Sequence, residues 1–145
     1  MAEHAEGTTE VVATPSEVMA VVADFEAYPD WVANLEQVEV LARDRRGRGT
    51  RVAFRLGTPW GEQAYTLAYR YQPRDAGLSW TYVEGTLEDL AGSYALEPTG
   101  DRATRVTYRL EVALGTPIPS FLMRQAAKQI VRSALGDLKR RVESM

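Results

Sequence analysis

Tyr65, Tyr69, Tyr71, Tyr82, Tyr94 and Tyr108 recur through the middle of the chain at spacings that could support chemistry. With Phe54 and Trp80, they fall on one phase of successive period-2 segments. Glu84 is the one carboxylate assigned to that phase. Phenols so placed can donate hydrogen bonds to a ligand carbonyl, Tyr65, Tyr69 and Tyr108 above all. A carboxylate buried among Trp80, Tyr82 and Tyr94 would have a raised pKa and could act as a general acid or base. Gly85 follows Glu84 at once, so the expectation is instead an accessible carboxylate at a strand end. The chain has no cysteine, and its single histidine, His4, falls in a polar stretch. Thiolate metal sites, disulfide frameworks, His-based metal clusters and Ser-His-Asp triads therefore have no support. The expected cofactor and metal complement is none.

The elements that must position these residues can be read in order. Gly7 to Ala13 reads as a strand after a polar tail, residues 1–6. Thr14 can cap a helix, with Pro15 at its first position and Glu17 completing a capping box. Val18, Val21, Val22 and Phe25 then share a face, and Tyr28-Pro29 opens a second short helix, the pair ending near Asn34. Alternating segments follow: Leu35 to Arg43, Arg51 to Leu56, Gln63 to Tyr71, Leu78 to Glu84, Leu90 to Glu97 and Thr104 to Leu114. The basic turn Asp44 to Gly49 reads as a solvated hairpin tip, and Trp60 lies on a turn between Pro59 and Gly61. Ser120 to Met145 is predicted helical, with Ala127, Ile130, Val131, Ala134, Leu135, Leu138, Val142 and Met145 on its apolar stripe. Short turns between strands predict an antiparallel meander with one buried face.

The 145 residues suit one domain, and the net charge of -3 gives no nucleic-acid footprint. No apolar run reaches the roughly 18 residues of a membrane span, and no signal core precedes the first strand. The expected location is the cytoplasm, with no integral membrane segment. The expected partner is a hydrophobic small molecule, and a homodimer stays open.

Ala13, Thr14, Pro15, Glu17, Val18, Asp24, Phe25, Tyr28, Pro29 and Trp31 stand in a pattern that resembles the START-like superfamily. Within it, the chain is similar to the polyketide cyclase/dehydrase and coenzyme-Q-binding-like families, over nearly its whole length. The resemblance implies an α+β helix-grip fold: a seven-stranded antiparallel sheet around a long C-terminal helix, with two short helices after the first strand. Large rings facing small helix residues then suggest a cavity between sheet and helix. Its expected lining is Trp31, Phe54, Tyr65, Leu67, Tyr69, Tyr71, Trp80, Tyr82, Tyr94, Tyr108, Leu110, Phe121, Ala127, Ile130 and Val131. Its expected mouth lies between the Gly115 to Ser120 connection and the turns around Trp60 and Gly85.

The first functional expectation is binding of a polyketide, quinone or lipid. The second is a polyketide aromatase/cyclase or dehydratase using Glu84 and pocket tyrosines. The aromatase/cyclase branch is expected to carry an arginine inside its pocket, whereas Arg55 and Arg70 fall on the outward phase here. A third is a protein-interaction role like that of toxin-like relatives.

Overall fold

A computed structural model of the chain describes residues 3–58, 61–114 and 118–145. The order is β1 (Glu3–Val11), α1 (Pro15–Val22), a 3-10 helix (Phe25–Asp30), β2 (Leu35–Arg43), β3 (Gly49–Thr58) and β4 (Gly61–Tyr71). A 3-10 turn (Pro73–Asp75), β5 (Gly77–Gly85), β6 (Leu87–Gly100), β7 (Ala103–Leu114) and α2 (Ser120–Glu143) complete it. Among the described residues, the strands form one seven-stranded antiparallel sheet, β1-β7-β6-β5-β4-β3-β2. Strands β2 to β7 pair in sequence order, as short turns dictate. β1 instead pairs with β7. The two short helices thus carry the chain from one sheet edge to the other.

Local chemistry sets those helices. The Thr14 hydroxyl accepts from the Glu17 N–H at 3.2 Å, and the Glu17 carboxylate accepts from the Thr14 N–H at 2.9 Å. This reciprocal cap starts α1, which buries Val18, Met19, Val21 and Val22. The Tyr28 hydroxyl then donates to the Val22 carbonyl and folds the 3-10 segment back. Phe25 lands on Gly49 of β3, where an added Cβ would come within 2.8 Å of the ring.

The long helix covers the other side of the concave face. Met123, Ala127, Val131, Leu135, Leu138 and Val142 form its buried stripe. It presses onto β1 at Gly7, where a Cβ would meet Val131 at 2.8 Å and Leu135 at 2.9 Å. At its far end, Lys139 donates to the Glu10 carbonyl at 2.6 Å, and Glu143 accepts from the Val12 N–H at 2.9 Å. Among the described residues, no helix is long and apolar enough to cross a membrane.

Three expectations need correction. Residues 3–6 are not a tail: β1 begins at Glu3, with Glu3 opposite Val112 and His4 opposite Glu111. Backbone pairing with the long β7 orders them, and polar side chains do not report on that pairing. The first strand also ends at Val11 rather than Ala13. Glu84 is not on the inward phase. Leu67 pairs with Tyr82 but Thr66 pairs with Glu84, leaving Val83 extra. This bulge moves Glu84 to the Thr66 face, since a one-residue slip exchanges the two faces of a strand.

Candidate functional site in an aromatic cavity

Two close approaches shape the concave face. Gly7 draws α2 down over β1 and β7, and Gly49 draws Phe25 down over β3. The sheet between these seams is left uncovered, and a cavity of about 450 Å³ lies there. The dry core sits beside it, toward α1, where Val18, Val22, Leu78, Val106 and Leu138 are fully buried.

A continuous row of rings forms the cavity wall. Tyr69 pairs with Trp80 across β4 and β5, and Trp80 with Gly92 across β5 and β6. Gly92 leaves room for the indole: a Cβ there would come within 2.5 Å of it. Ring centroids lie 5.9 Å apart for Tyr69–Trp80, 5.5 Å for Trp80–Tyr108 and 4.9 Å for Tyr94–Tyr108. Phe54 and Tyr65 continue the wall at 5.7 Å, and Tyr28 meets Trp31 at 5.1 Å near the mouth. These spacings suit tilted and edge-on aromatic packing.

Trp31, Phe54, Tyr65, Leu67, Tyr69, Trp80, Tyr94, Tyr108, Leu110 and Ile130 border the cavity. Other residues named from the sequence lie off it. Tyr71 donates to the Gly49 carbonyl at 2.6 Å, and the Arg48 guanidinium covers its ring at 4.2 Å, so it braces the β2–β3 hairpin. Tyr82 sits at the bulge and donates to the Leu87 carbonyl at 2.8 Å. Phe121 is 60% exposed at the start of α2. Ala127 and Val131 belong to the stripe that packs on the sheet, not to the face over the cavity. Glu84 is exposed. Of the mouth expected between the Gly115 to Ser120 connection and the turns around Trp60 and Gly85, Trp60 and Gly115 to Pro117 lie outside the described residues, and Gly85 and residues 118–120 are not among the described lining. Among the described residues, the accessible lining comes from Ala33 and Asn34 before β2 and from Gln129 and Ile130 on α2, so the cavity opens there.

Several lining residues escaped the sequence reading. Tyr28, Leu90, Val112 and Met123 add apolar wall, while Gln63, Gln129 and Ser133 add polar groups. Asp137 also lines the cavity. Its carboxylate pairs with Arg140 and accepts from the Ala33 N–H at 3.3 Å, tying α2 to the segment before β2. The spacing of Ile130, Ser133 and Asp137 marks a second helix face, which the stripe of larger apolar residues overshadows.

Four phenols in the wall have no protein partner. Among the described residues, no hydrogen bond is made by the hydroxyls of Tyr65, Tyr69, Tyr94 or Tyr108. Among the described residues no fully enclosed side-chain nitrogen or oxygen lacks a partner either, so these hydroxyls reach the cavity space. Burial raises all four pKa values above the ordinary tyrosine value of 10, with the Asp137 carboxylate adding to the effect at Tyr94. At neutral pH they are protonated donors. No group of three or more His, Cys, Asp or Glu among the described residues is arranged to hold a metal ion.

Known proteins share this architecture. A START superfamily protein from Mycobacterium smegmatis superposes with a TM-score of 0.89 at 22% identity, over 97% of each chain. The Zhui aromatase/cyclase from Streptomyces sp. R1128 gives 0.77 at 16% identity, over 99% of this chain and 94% of that one. A STAR-related lipid transfer protein fragment from Xanthomonas axonopodis gives 0.71 at 19%, over 96% and 85%. At these identities the likeness establishes the fold. No curated protein sequence matches the chain significantly. The family model for polyketide cyclase / dehydrase and lipid transport matches residues 11–139, and the chain belongs to that START-like family.

Proposed function

We propose that this protein binds a hydrophobic or aromatic small molecule, such as a polyketide, quinone or lipid, in the cavity between sheet and α2. The cavity itself carries the reading: about 450 Å³ walled by rings and aliphatic side chains, with four phenols free to donate. A solid core would have left buried hydroxyls paired within the protein. Pockets of this size with a few convergent polar groups are the usual form of a small-molecule site. The reading treats residues 1–145 as one domain, with its binding surface on Trp31, Phe54, Tyr65, Leu67, Tyr69, Trp80, Tyr94, Tyr108, Leu110 and Ile130. Native mass spectrometry of the purified protein, followed by organic extraction, is expected to reveal a co-purified apolar molecule. In its absence, the uncharged dye N-phenyl-1-naphthylamine should bind with a fluorescence gain. A protein that holds neither would refute the reading.

One observation favours a second reading, ring closure or dehydration of a poly-keto chain. Asp137 and the Tyr94 phenol face the same cavity. A carboxylate can remove a proton next to a carbonyl while a phenol donates to the oxygen that gains charge. Turnover of a poly-keto thioester analogue that disappears in Asp137→Asn, with dye binding retained, would support it. Unchanged turnover in that variant would exclude Asp137 as the base.

A further inference from the structure

The cavity carries one sign of charge. Asp137 is the charged side chain among its described lining residues, and no Lys, Arg or His stands there. Pro59, Trp60, Gly115, Thr116 and Pro117, which fall between the described segments, bring no charged side chain either. The Asp137 side chain is 13% exposed, whereas that of its partner Arg140 is 75% exposed. The negative end of the pair therefore sits against the cavity and the positive end stands in water, where it is screened more strongly. The bond from the Ala33 N–H holds the carboxylate at the mouth. An anion entering here would lose its hydration, meet a like charge and find no counter-ion. The wall supplies donors without charge. The hydroxyls of Tyr65, Tyr69, Tyr94 and Tyr108 are protonated and without protein partners, so a carbonyl or ether oxygen of a ligand would satisfy them; a carboxylate would accept from them as well, and it is the Asp137 charge that weighs against it.

We propose that the cavity selects an uncharged ligand bearing carbonyl or ether oxygens and rejects carboxylates, with Asp137 as the residue that sets this selection. The proposal rests on the small-molecule reading above and narrows it: fatty-acid carboxylates are excluded, and quinones, polyketones and esters are admitted.

Matched acid and ester pairs test it. Anthraquinone-2-carboxylate and its methyl ester keep the same rings and ring carbonyls, and laurate and methyl laurate keep the same chain. Each is used at neutral pH to displace bound N-phenyl-1-naphthylamine. Each ester is expected to displace the dye at a concentration lower by roughly tenfold or more than its acid. Asp137→Asn should narrow the gap by improving the acids, with the esters nearly unchanged. Arg140→Gln, at an exposed position that leaves Asp137 unpaired, should widen it and serves if the first variant folds poorly. Equal displacement by acid and ester would overturn charge selection while leaving cavity binding intact. A gap that neither variant alters would remove Asp137 from the role. If the parent protein bound neither dye nor any of the four compounds, the small-molecule reading would fall, and this inference with it.

Discussion

A methyl group at Gly92 would come within 2.5 Å of the Trp80 ring and 2.6 Å of the Arg109 carbonyl oxygen. The carbonyl is backbone and cannot swing aside, so the indole must give way toward the cavity. Gly92→Ala is expected to destabilise the fold by about 1–3 kcal/mol. Thermal melts should show that loss, and dye titration should show weaker binding in the same variant. Tyr94 and Tyr108 predict the reverse asymmetry. Neither hydroxyl has a protein partner, so Tyr94→Phe and Tyr108→Phe remove no internal hydrogen bond. Stability should stay within about 0.5 kcal/mol of the parent. Binding of the anthraquinone ester should weaken, because an acceptor on the ligand loses its donor. A large drop in melting temperature would instead reveal a hydroxyl that the fold itself uses.

At the scale of elements, α2 changes in tolerance along its length, at two positions that lie nearly in line on the helix. Ala127 is 0% exposed in the seam against the sheet, while Ala134, seven residues on, borders the cavity. Ala127→Trp should overpack that seam and cost about 1–3 kcal/mol or more. Ala134→Phe has space to enter, so it should cost less and abolish dye binding by filling the site. Urea melts and fluorescence titrations on both variants check this. Similar stability losses in the two would mean that the cavity is not open to the helix. The capping box of α1 is independent of ligand binding. Thr14→Ala should cost about 1 kcal/mol, read by the same melts, and leave dye affinity unchanged.

For the whole molecule, titratable groups predict a loss of stability at both pH extremes. The Lys139 ammonium and the Val12 N–H hold the Glu143 pKa below its ordinary value near 4.5, and the Thr14 N–H does the same for Glu17. A depressed carboxylate stabilises the fold above that value and loses its contribution as pH falls through the folded-state pKa. Glu143→Gln should therefore flatten the acid limb of a stability–pH curve. The buried phenols act at the other end. Unfolded tyrosines ionise near pH 10, but burial keeps Tyr28, Tyr69, Tyr94 and Tyr108 protonated well above it. The unfolded state then holds fewer protons, and stability should fall as pH rises past about 10. Absorbance titration at alkaline pH should show phenolate appearing together with unfolding, and early titration of these residues in the folded protein would contradict their burial. What the sequence determined by itself was local and periodic. The Thr14–Glu17 cap, the strand phases of Phe54, Tyr65, Leu67, Tyr69 and Tyr108, and the long closing helix follow from short-range hydrogen bonds and alternating apolar side chains. Tertiary structure decided the rest. A bulge at Val83 turned Glu84 to the other face, pairing with β7 ordered residues 3–6, and close contacts at Gly7 and Gly49 determined which part of the sheet stayed uncovered. Asp137 became the charged residue of the described lining through the placement of α2 over the sheet, which its bond from the Ala33 N–H helps to fix. Such outcomes depend on which distant backbones meet, and neither side-chain pattern nor propensity encodes that directly.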